Sequence, residues 1–199
     1  MKNKYAVKSF MLVALIFCLA ACSKTPAARF YTLSPLAEEV KGDTLGGSKV
    51  IIGIAEVEVS PYLNRSEIIT RSSATQVQLA QYDRWAEPLE DIVAMTVSEN
   101  ISRLLPAIQT ITSPWPEADV NYMLAIKIKR FDSDDTGNIR LDVSWGIIDQ
   151  KQRSMIAVHE SSIRRSGTSA DYDSIVIQMS QALLELSKEI ATQLTKTKK

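Results

Sequence analysis

The residues with the clearest chemical signature are Leu19, Ala20, Ala21 and Cys22, which follow one another near the start of the chain. Three lysines precede them, and the segment in between, from Phe10 to Leu19, is apolar throughout. A basic start, a short apolar core and small residues before a cleavage point are typical of a secretory signal. The apolar run is well short of the roughly 20 residues that a permanent membrane-spanning helix needs. A cysteine directly after Leu-Ala-Ala indicates a bacterial lipobox, whose thiol sulfur is acylated before the cysteine becomes the first residue of the mature chain.

One other interpretation of this segment stays open, namely a signal-anchor helix that contains a cysteine by chance. An apolar N-terminal helix of the core is excluded, because such a helix normally has a polar face and none interrupts this run.

Lipidation at Cys22 would place the protein in the cell envelope of a Gram-negative bacterium. Ser23 follows the cysteine, whereas an Asp at that position commonly retains lipoproteins at the inner membrane, so we expect the outer membrane with the domain facing the periplasm. Each buried CH₂ of an acyl chain contributes roughly 0.8 kcal/mol, so several chains on one cysteine form a durable anchor. The expected organisation is a signal peptide over 1–21, a lipidated tether over 22–28 and a single periplasmic domain over 29–199.

Cysteine, histidine and serine patterns offer little support for an enzyme. Cys18 is removed with the signal and Cys22 carries lipid such as palmitate, so neither a disulfide nor a catalytic thiol is expected. His159 is the only histidine, and the chain has no Gly-x-Ser-x-Gly motif. Asp132 to Gly137 resembles the start of a calcium loop, but Val143 occupies the twelfth position, where a bidentate Glu belongs. We therefore expect no catalytic residue, no metal and no cofactor apart from the covalent lipid.

The charge balance argues against nucleic acid as a partner. Lys and Arg together number 23, as do Asp and Glu, and three of the lysines belong to the signal peptide. The mature chain is then slightly acidic, which disfavours binding to nucleic acid or broad attraction to anionic lipid.

Hydrophobic periodicity predicts both strands and helices. Alternating or β-rich segments predict strands at 29–34, 49–59, 67–71, 76–81, 108–112, 120–128, 139–147 and 154–165. Apolar residues at helical spacing predict two amphipathic helices, one beginning at Pro88 and ending before Pro106 and one over 171–194. Segments 67–71 and 76–81 form a predicted hairpin, and the last three strands a predicted antiparallel meander. The predicted fold is α+β: a two-layer sandwich of a mostly antiparallel sheet with both long helices on one face.

Aromatic and arginine residues in predicted loops are candidates for an interaction surface, because such residues often anchor protein interfaces. The candidate partner or oligomer surface comprises Tyr62, Leu63, Arg65, Arg84 and Trp85. A structural interpretation competes with this one. Trp85 and Trp115 could instead pack over the ends of the core, with Arg84 paired to a neighbouring acid.

Several of these motifs together resemble the ABC-type transport auxiliary lipoproteins, the PqiC-like family. The resembling segments are Phe30-Tyr31-Thr32-Leu33, Pro61-Tyr62-Leu63-Asn64-Arg65, Ile68-Ile69-Thr70-Arg71, Arg84-Trp85-Ala86-Glu87-Pro88-Leu89, Pro114-Trp115 and Asp171-Tyr172. Family members commonly have Asp where this chain has Asn64, so one loop charge is missing here.

The resemblance implies a non-enzymatic outer-membrane lipoprotein of an intermembrane lipid-transport system. Its implied partner is a membrane-anchored MCE-domain protein that spans the periplasm, and its implied task is to dock that conduit to the outer membrane and to support envelope integrity. A homo-oligomer would suit a ring-shaped partner. The alternative function is that of a structural or assembly lipoprotein of another outer-membrane complex.

Overall fold

The structure is a computed structural model that describes residues 26–35, 50–114, 120–167 and 169–197. Four features predicted from the sequence lie outside these residues: the signal peptide, Cys22, the glycine-containing loop at 38–48 and Trp115.

Nine strands and two helices make up the described chain. The strands are β1 (Arg29–Tyr31), β2 (Val50–Ile54), β3 (Glu58–Val59), β4 (Glu67–Arg71), β5 (Val77–Trp85), β6 (Ile108–Thr112), β7 (Tyr122–Asp134), β8 (Ile139–Asp149) and β9 (Ser154–Arg165). The helices are α1 (Leu89–Leu104) and α2 (Tyr172–Thr197). An α+β fold was predicted, and the structure confirms it.

Strand β7 is the centre of the sheet. Along one edge it pairs with β8 in antiparallel register, and β8 pairs in turn with β9, so the predicted meander is confirmed. Along its other edge β7 pairs in parallel with three successive segments of chain, namely β2, β3 and β4. The single strand predicted over 49–59 is therefore two strands, interrupted at 55–57, that follow the same neighbour.

The prediction of a mostly antiparallel sheet is wrong, because the sheet is mixed. Besides the three parallel pairings of β7, β6 lies parallel to β2 and β1 lies parallel to β5. Strands β4 and β5 form the predicted hairpin and are antiparallel. Hydrophobic alternation identifies a strand and its buried face but does not say in which direction its neighbour runs. The parallel pairings join strands that are distant in sequence, so the pattern of each strand alone does not predict them.

Both helices begin where their sequences predict. Helix α1 starts directly after Pro88, with Glu90 and Asp91 in its first turn, where acidic side chains interact favourably with the helix dipole. The Asp171 carboxylate accepts a hydrogen bond from the Ser174 amide and caps the start of α2. The predicted stripe of α2 is buried: Ile175, Met179, Leu183, Leu186, Ile190 and Leu194.

The helices pack against each other and against the sheet. Helix α1 also contacts β3 and β6, while α2 contacts β8 and β9. The arrangement as two layers with both helices on one face stays a prediction.

The meander has two chemically different faces near its β7–β8 turn. Phe131, Leu141 and Ile163 are register neighbours on β7, β8 and β9, and all three belong to the hydrophobic core. The adjacent row consists of Asp132, Arg140 and Arg164, which point to the opposite face because successive residues of a strand alternate. The row of Asp132, Arg140 and Arg164 defines the charged face of the meander.

Candidate functional site

The two segments that carry the predicted interaction surface lie next to each other. Glu67, at the start of β4, pairs with Arg84 near the end of β5. The Trp85 amide donates a hydrogen bond to the Ser66 carbonyl at 2.7 Å. The turn at 60–66 therefore meets the end of β5, and the structure brings together the motifs that the sequence separates by about 20 positions.

Two members of that predicted surface are core residues instead. Trp85 is 5% exposed and Leu63 is 2% exposed, and both belong to the hydrophobic core. The reason for Trp85 is that β5 continues to this residue, whereas the sequence placed Arg84 and Trp85 in a loop. Strand alternation then turns Trp85 inward and Arg84 to the other face. For Trp85 the competing interpretation, packing against the core, is the correct one.

The polar members of the predicted surface are more accessible. Arg65 is exposed, and Arg84 is partly exposed, with one guanidinium nitrogen 3.9 Å from Glu67. An ion pair of this length at the surface contributes little to stability. Tyr62 is partly buried and contacts the charged face of the meander, so it does not present its ring freely to solvent.

A buried carboxylate lies at the centre of the charged face. Asp132 is fully buried, and one of its oxygens accepts hydrogen bonds from the Arg71 guanidinium at 3.0 and 3.1 Å and from the Tyr62 hydroxyl at 3.3 Å. Its other oxygen accepts from Arg130 at 2.8 Å. The Arg71 guanidinium also lies 5.9 Å from the centre of the Tyr62 ring. Together these residues form the Asp132 cluster: Tyr62, Arg71, Arg130 and Asp132.

Two members of the Asp132 cluster, Tyr62 and Arg71, have raised pKa values. Burial raises the pKa of Tyr62, and the nearby charge of Asp132 raises it further, so the phenol stays protonated and donates. The hydrogen bond to Asp132 raises the pKa of Arg71 and holds that guanidinium charged. The sequence predicted a turn from Asp132 onward, but β7 continues through Asp132 to Asp134. Asp132 is therefore a strand residue in contact with Arg71 and Arg130. The alternation of the polar residues Arg130 and Asp132 with apolar Phe131 is the sequence pattern that could have predicted this longer strand.

A second carboxylate fixes the first strand to the sheet. Asp83 is buried on β5 and accepts hydrogen bonds from Arg29 at 2.7 Å and from the Tyr31 hydroxyl at 2.9 Å. The Tyr31 ring lies 6.4 Å from that of Tyr172, at the start of α2. Burial and the hydrogen bond to Asp83 raise the pKa of Tyr31 to about 12. Strand β1, which follows the tether, is thus held in place by charge as well as by pairing.

The turn between β7 and β8 is held together by hydrogen bonds to Asp134. Asp134 accepts hydrogen bonds from the amides of Thr136 and Asn138 and from both of their side chains. Burial acts to raise the pKa of Asp134, but these hydrogen bonds outweigh it and lower the pKa. Gly137 has a φ of 86°, and a Cβ there would lie 2.1 Å from the Ser169 carbonyl oxygen, so only glycine fits. Asp132 and Asp134 are both occupied by protein donors.

His159 lies beside an aromatic side chain of β8. Its ring stacks on Trp145 with 4.5 Å between ring centres, and Trp145 donates from its indole nitrogen to the Ser161 hydroxyl. Ser161 in turn donates to Glu189 of α2. Among the described residues no group of three histidine, cysteine or acidic side chains could hold a metal ion.

Two exposed apolar side chains mark the end of the domain that follows the tether. Phe30 on β1 and Ile177 on α2 are both more than half exposed and line a shallow cavity of about 330 Å³. Helices α1 and α2, the two that the structure describes, both lack an apolar stretch that could span a bilayer.

Comparison with known proteins identifies the family. Residues 31–191 match the family model described as the ABC-type transport auxiliary lipoprotein component. The chain is 21% identical over 146 residues to the intermembrane transport lipoprotein PqiC of Escherichia coli (strain K12). The aligned segment covers 73% of this chain and 77% of that protein.

Two crystal structures share the fold. The protein XCC0632 from Xanthomonas campestris is similar with a TM-score of 0.70 and 17% identity, covering 86% of this chain and all of that one. A second crystal structure, of an uncharacterized protein, has a TM-score of 0.70 and 18% identity, covering 85% of this chain and 99% of its own. The family match spans nearly the whole described domain, and the chain belongs to the ABC-type transport auxiliary lipoprotein family.

Proposed function

We propose that this protein is an outer-membrane lipoprotein, acylated on Cys22, that docks a periplasm-spanning MCE-type partner of an intermembrane lipid-transport system. The observation that carries the proposal is the family match over 31–191, which begins directly after a lipobox and a short tether. In this proposal the protein is an adaptor and not an enzyme, and its covalent lipid is its only non-protein component. Its loss would weaken the integrity of the envelope.

The short tether supports a position close to the bilayer. Arg29 comes seven positions after Cys22, and each position spans at most about 3.3–3.6 Å when the chain is fully extended, so β1 starts within roughly 25 Å of the acylated cysteine. Phe30 and Ile177 are exposed at this end of the domain. In this proposal the β1 end lies close to the outer membrane, and Arg84 of β5 lies beside it, because Arg84 is the register partner of Phe30.

The proposed partner surface is centred on Arg65 and Arg84. Both are accessible, and both lie where the 60–66 turn meets the end of β5. Their guanidinium groups would recognise carboxylates or carbonyl oxygens of the partner. Leu63 and Trp85 support this surface from beneath and do not touch the partner.

A homo-oligomer is part of the proposal, because a ring-shaped partner would be matched by several copies. Within the described sheet, β9 pairs only with β8, so one edge of β9 is available to another chain. Its residues Met155 and Val158 are more than half exposed. Chemical cross-linking and light scattering of the purified lipoprotein would give the number of subunits.

The anchor is tested with Cys22→Ala in the native host. The variant should lose acylation and the lipoprotein-type cleavage, and the protein should leave the outer-membrane fraction. Mass spectrometry that finds an unmodified Cys22 in the mature wild-type protein would refute the anchor.

The docking role is tested by capturing the MCE-domain protein on the immobilised lipoprotein. The double variant Arg65→Glu and Arg84→Glu should capture several-fold less partner while its melting temperature stays near that of the wild type. Arg153→Glu is the matched control, because Arg153 is exposed in the β8–β9 turn, far along the chain from both positions. Equal capture of the partner by the wild type, the double variant and Arg153→Glu would refute the proposed partner surface. Capture of another outer-membrane complex with no MCE-domain protein would favour the assembly function instead.

A further inference from the structure

A cavity lined by arginines opens beside the β7–β8 turn. Its volume is about 340 Å³, at the lower end of the range for small-molecule sites. The lining residues are Arg130, Asp134, Asn138, Ile139, Arg140, Arg164, Arg165 and Ser166. Four of these eight side chains are guanidinium groups and one is a carboxylate, so the lining is strongly basic although the chain as a whole is neutral.

The arrangement of these arginines is unfavourable in the absence of an anion. Arg140 and Arg164 are direct register partners on β8 and β9, and like charges opposite each other destabilise a sheet. Arg140 has its own acid, because its Nε donates to Asp142 at 2.8 Å. Within the ranges that the structure describes, no carboxylate forms an ion pair with Arg164. The repulsion between the two guanidinium groups is therefore compensated only in part.

The other two arginines are incompletely satisfied as well. Arg130 shares the carboxylate of Asp132 with Arg71, so one buried negative charge serves two guanidinium groups. Arg165 pairs with Glu185 of α2 through Nη1, but its Nε is buried and has no hydrogen-bond partner among the described residues.

The single acid in the lining does not compete for these donors. The Asp134 carboxylate accepts four hydrogen bonds from Thr136 and Asn138 within the turn. Asn138 in turn accepts from the Gly167 amide, which ties the segment after β9 to the rim of the cavity. The turn therefore shapes the cavity, and the arginines set its charge.

We propose that this cavity binds a phosphate group, carried either by a phospholipid headgroup or by a small soluble phosphate compound. Guanidinium groups bind phosphate oxygens through paired N–H donors, which an ammonium group cannot do, and all four cationic residues of the lining are arginines. Arg140 and Arg164 clamp the phosphate from two neighbouring strands, and their mutual repulsion is relieved when it binds. This site is independent of the proposed docking role, because it needs neither the lipid anchor nor a protein partner.

The test is isothermal titration calorimetry on the full chain in nonionic detergent, at constant ionic strength. The probes are inorganic phosphate and glycerophosphoglycerol, the deacylated headgroup of phosphatidylglycerol. Arg164→Gln should weaken binding at least about tenfold, since a hydrogen bond to a charged group is lost together with the charge. Its melting temperature without ligand should be unchanged or higher, because Arg164 forms no ion pair with any described residue. Arg140→Gln is a second variant of the same clamp and should weaken binding in the same way.

The matched control is Arg153→Gln, which removes one positive charge at the opposite end of β8 and should leave the affinity unchanged. Tighter binding of glycerophosphoglycerol than of inorganic phosphate, lost in Arg164→Gln, would identify a headgroup site. The reverse preference, lost in the same variant, would identify a site for soluble phosphate compounds. No heat of binding with either probe, or equal affinities in wild type and Arg164→Gln, or an equal loss in Arg153→Gln, would overturn the proposal.

Discussion

Replacement of Asp132 by Asn tests the central electrostatic feature of the fold. The side chain changes little in size but loses its negative charge, and its amide group adds N–H donors beside guanidinium groups that are donors themselves. Arg71 and Arg130 would then share no carboxylate at this position, and the Tyr62 hydroxyl would lose its acceptor or compete for the remaining oxygen.

The expected cost follows from the burial of the three charged groups. Asp132 is 0% exposed, while the side chains of Arg71 and Arg130 are 16% and 25% exposed. Breaking a buried ion pair by removing one partner costs about 3–5 kcal/mol. Both arginines can regain part of their hydration, so we expect the lower end, about 3 kcal/mol. For a domain of this size that corresponds to a decrease of roughly 6–12 °C in melting temperature.

The assay is urea unfolding of the chain lacking residues 1–22, followed by circular dichroism. Asp142→Asn is the matched control, because Asp142 lies on the same charged face and pairs with Arg140, but it is 21% exposed and its arginine 40% exposed. Accessible pairs of this kind contribute about 0–1 kcal/mol. Equal losses of stability in the two variants, or a loss below about 1 kcal/mol for Asp132→Asn, would refute the conclusion that burial makes the Asp132 cluster important.

Three further predictions concern the core and the first strand. Trp85→Ala should lower the free energy of unfolding by about 3–5 kcal/mol, whereas Arg84→Ala should change it by less than about 0.5 kcal/mol; similar values in urea titrations would mean that the orientation of the end of β5 is wrong. Leu183→Ala should cost about 2–5 kcal/mol because Leu183 is fully buried, and an unchanged melting temperature would contradict the packing of α2. The pKa of Tyr31 is raised from 10.0 to about 12, so its contribution to stability is complete below pH 10 and is lost as the pH rises towards 12. Tyr31→Phe should reduce this pH dependence in unfolding titrations, and an unaltered slope would show that burial and Asp83 do not raise the pKa of Tyr31 in the folded protein.

Local sequence patterns predicted the structure correctly where the residues that contact a segment are also close to it in sequence. The starts of both helices, the buried stripe of α2 and the antiparallel pairing of β7, β8 and β9 follow from capping residues, helical spacing and short polar turns. In each case the interactions that decide the structure join residues a few positions apart or strands joined by a tight turn.

The predicted interaction surface shows where local patterns fail. Arg84 and Trp85 come just before a helix and were assigned to a loop, yet pairing with β1 and β4 extends β5 as far as Trp85. That pairing places a large aromatic side chain in the core and leaves the arginine outside. The choice depended on strands that begin far away in the sequence, so no window around Trp85 could reveal it.

The sequence by itself determined the lipobox, the element types, the helix faces and the resemblance that the family match confirms, because each is encoded by residue types at short, fixed spacing. Only the tertiary structure decided the direction of the strands and the partners of the charged residues. Three separate segments align in parallel along β7, and four arginines of three strands converge on one cavity. Such contacts join residues that are distant in the chain, and they exist only after the core has brought the strands into register.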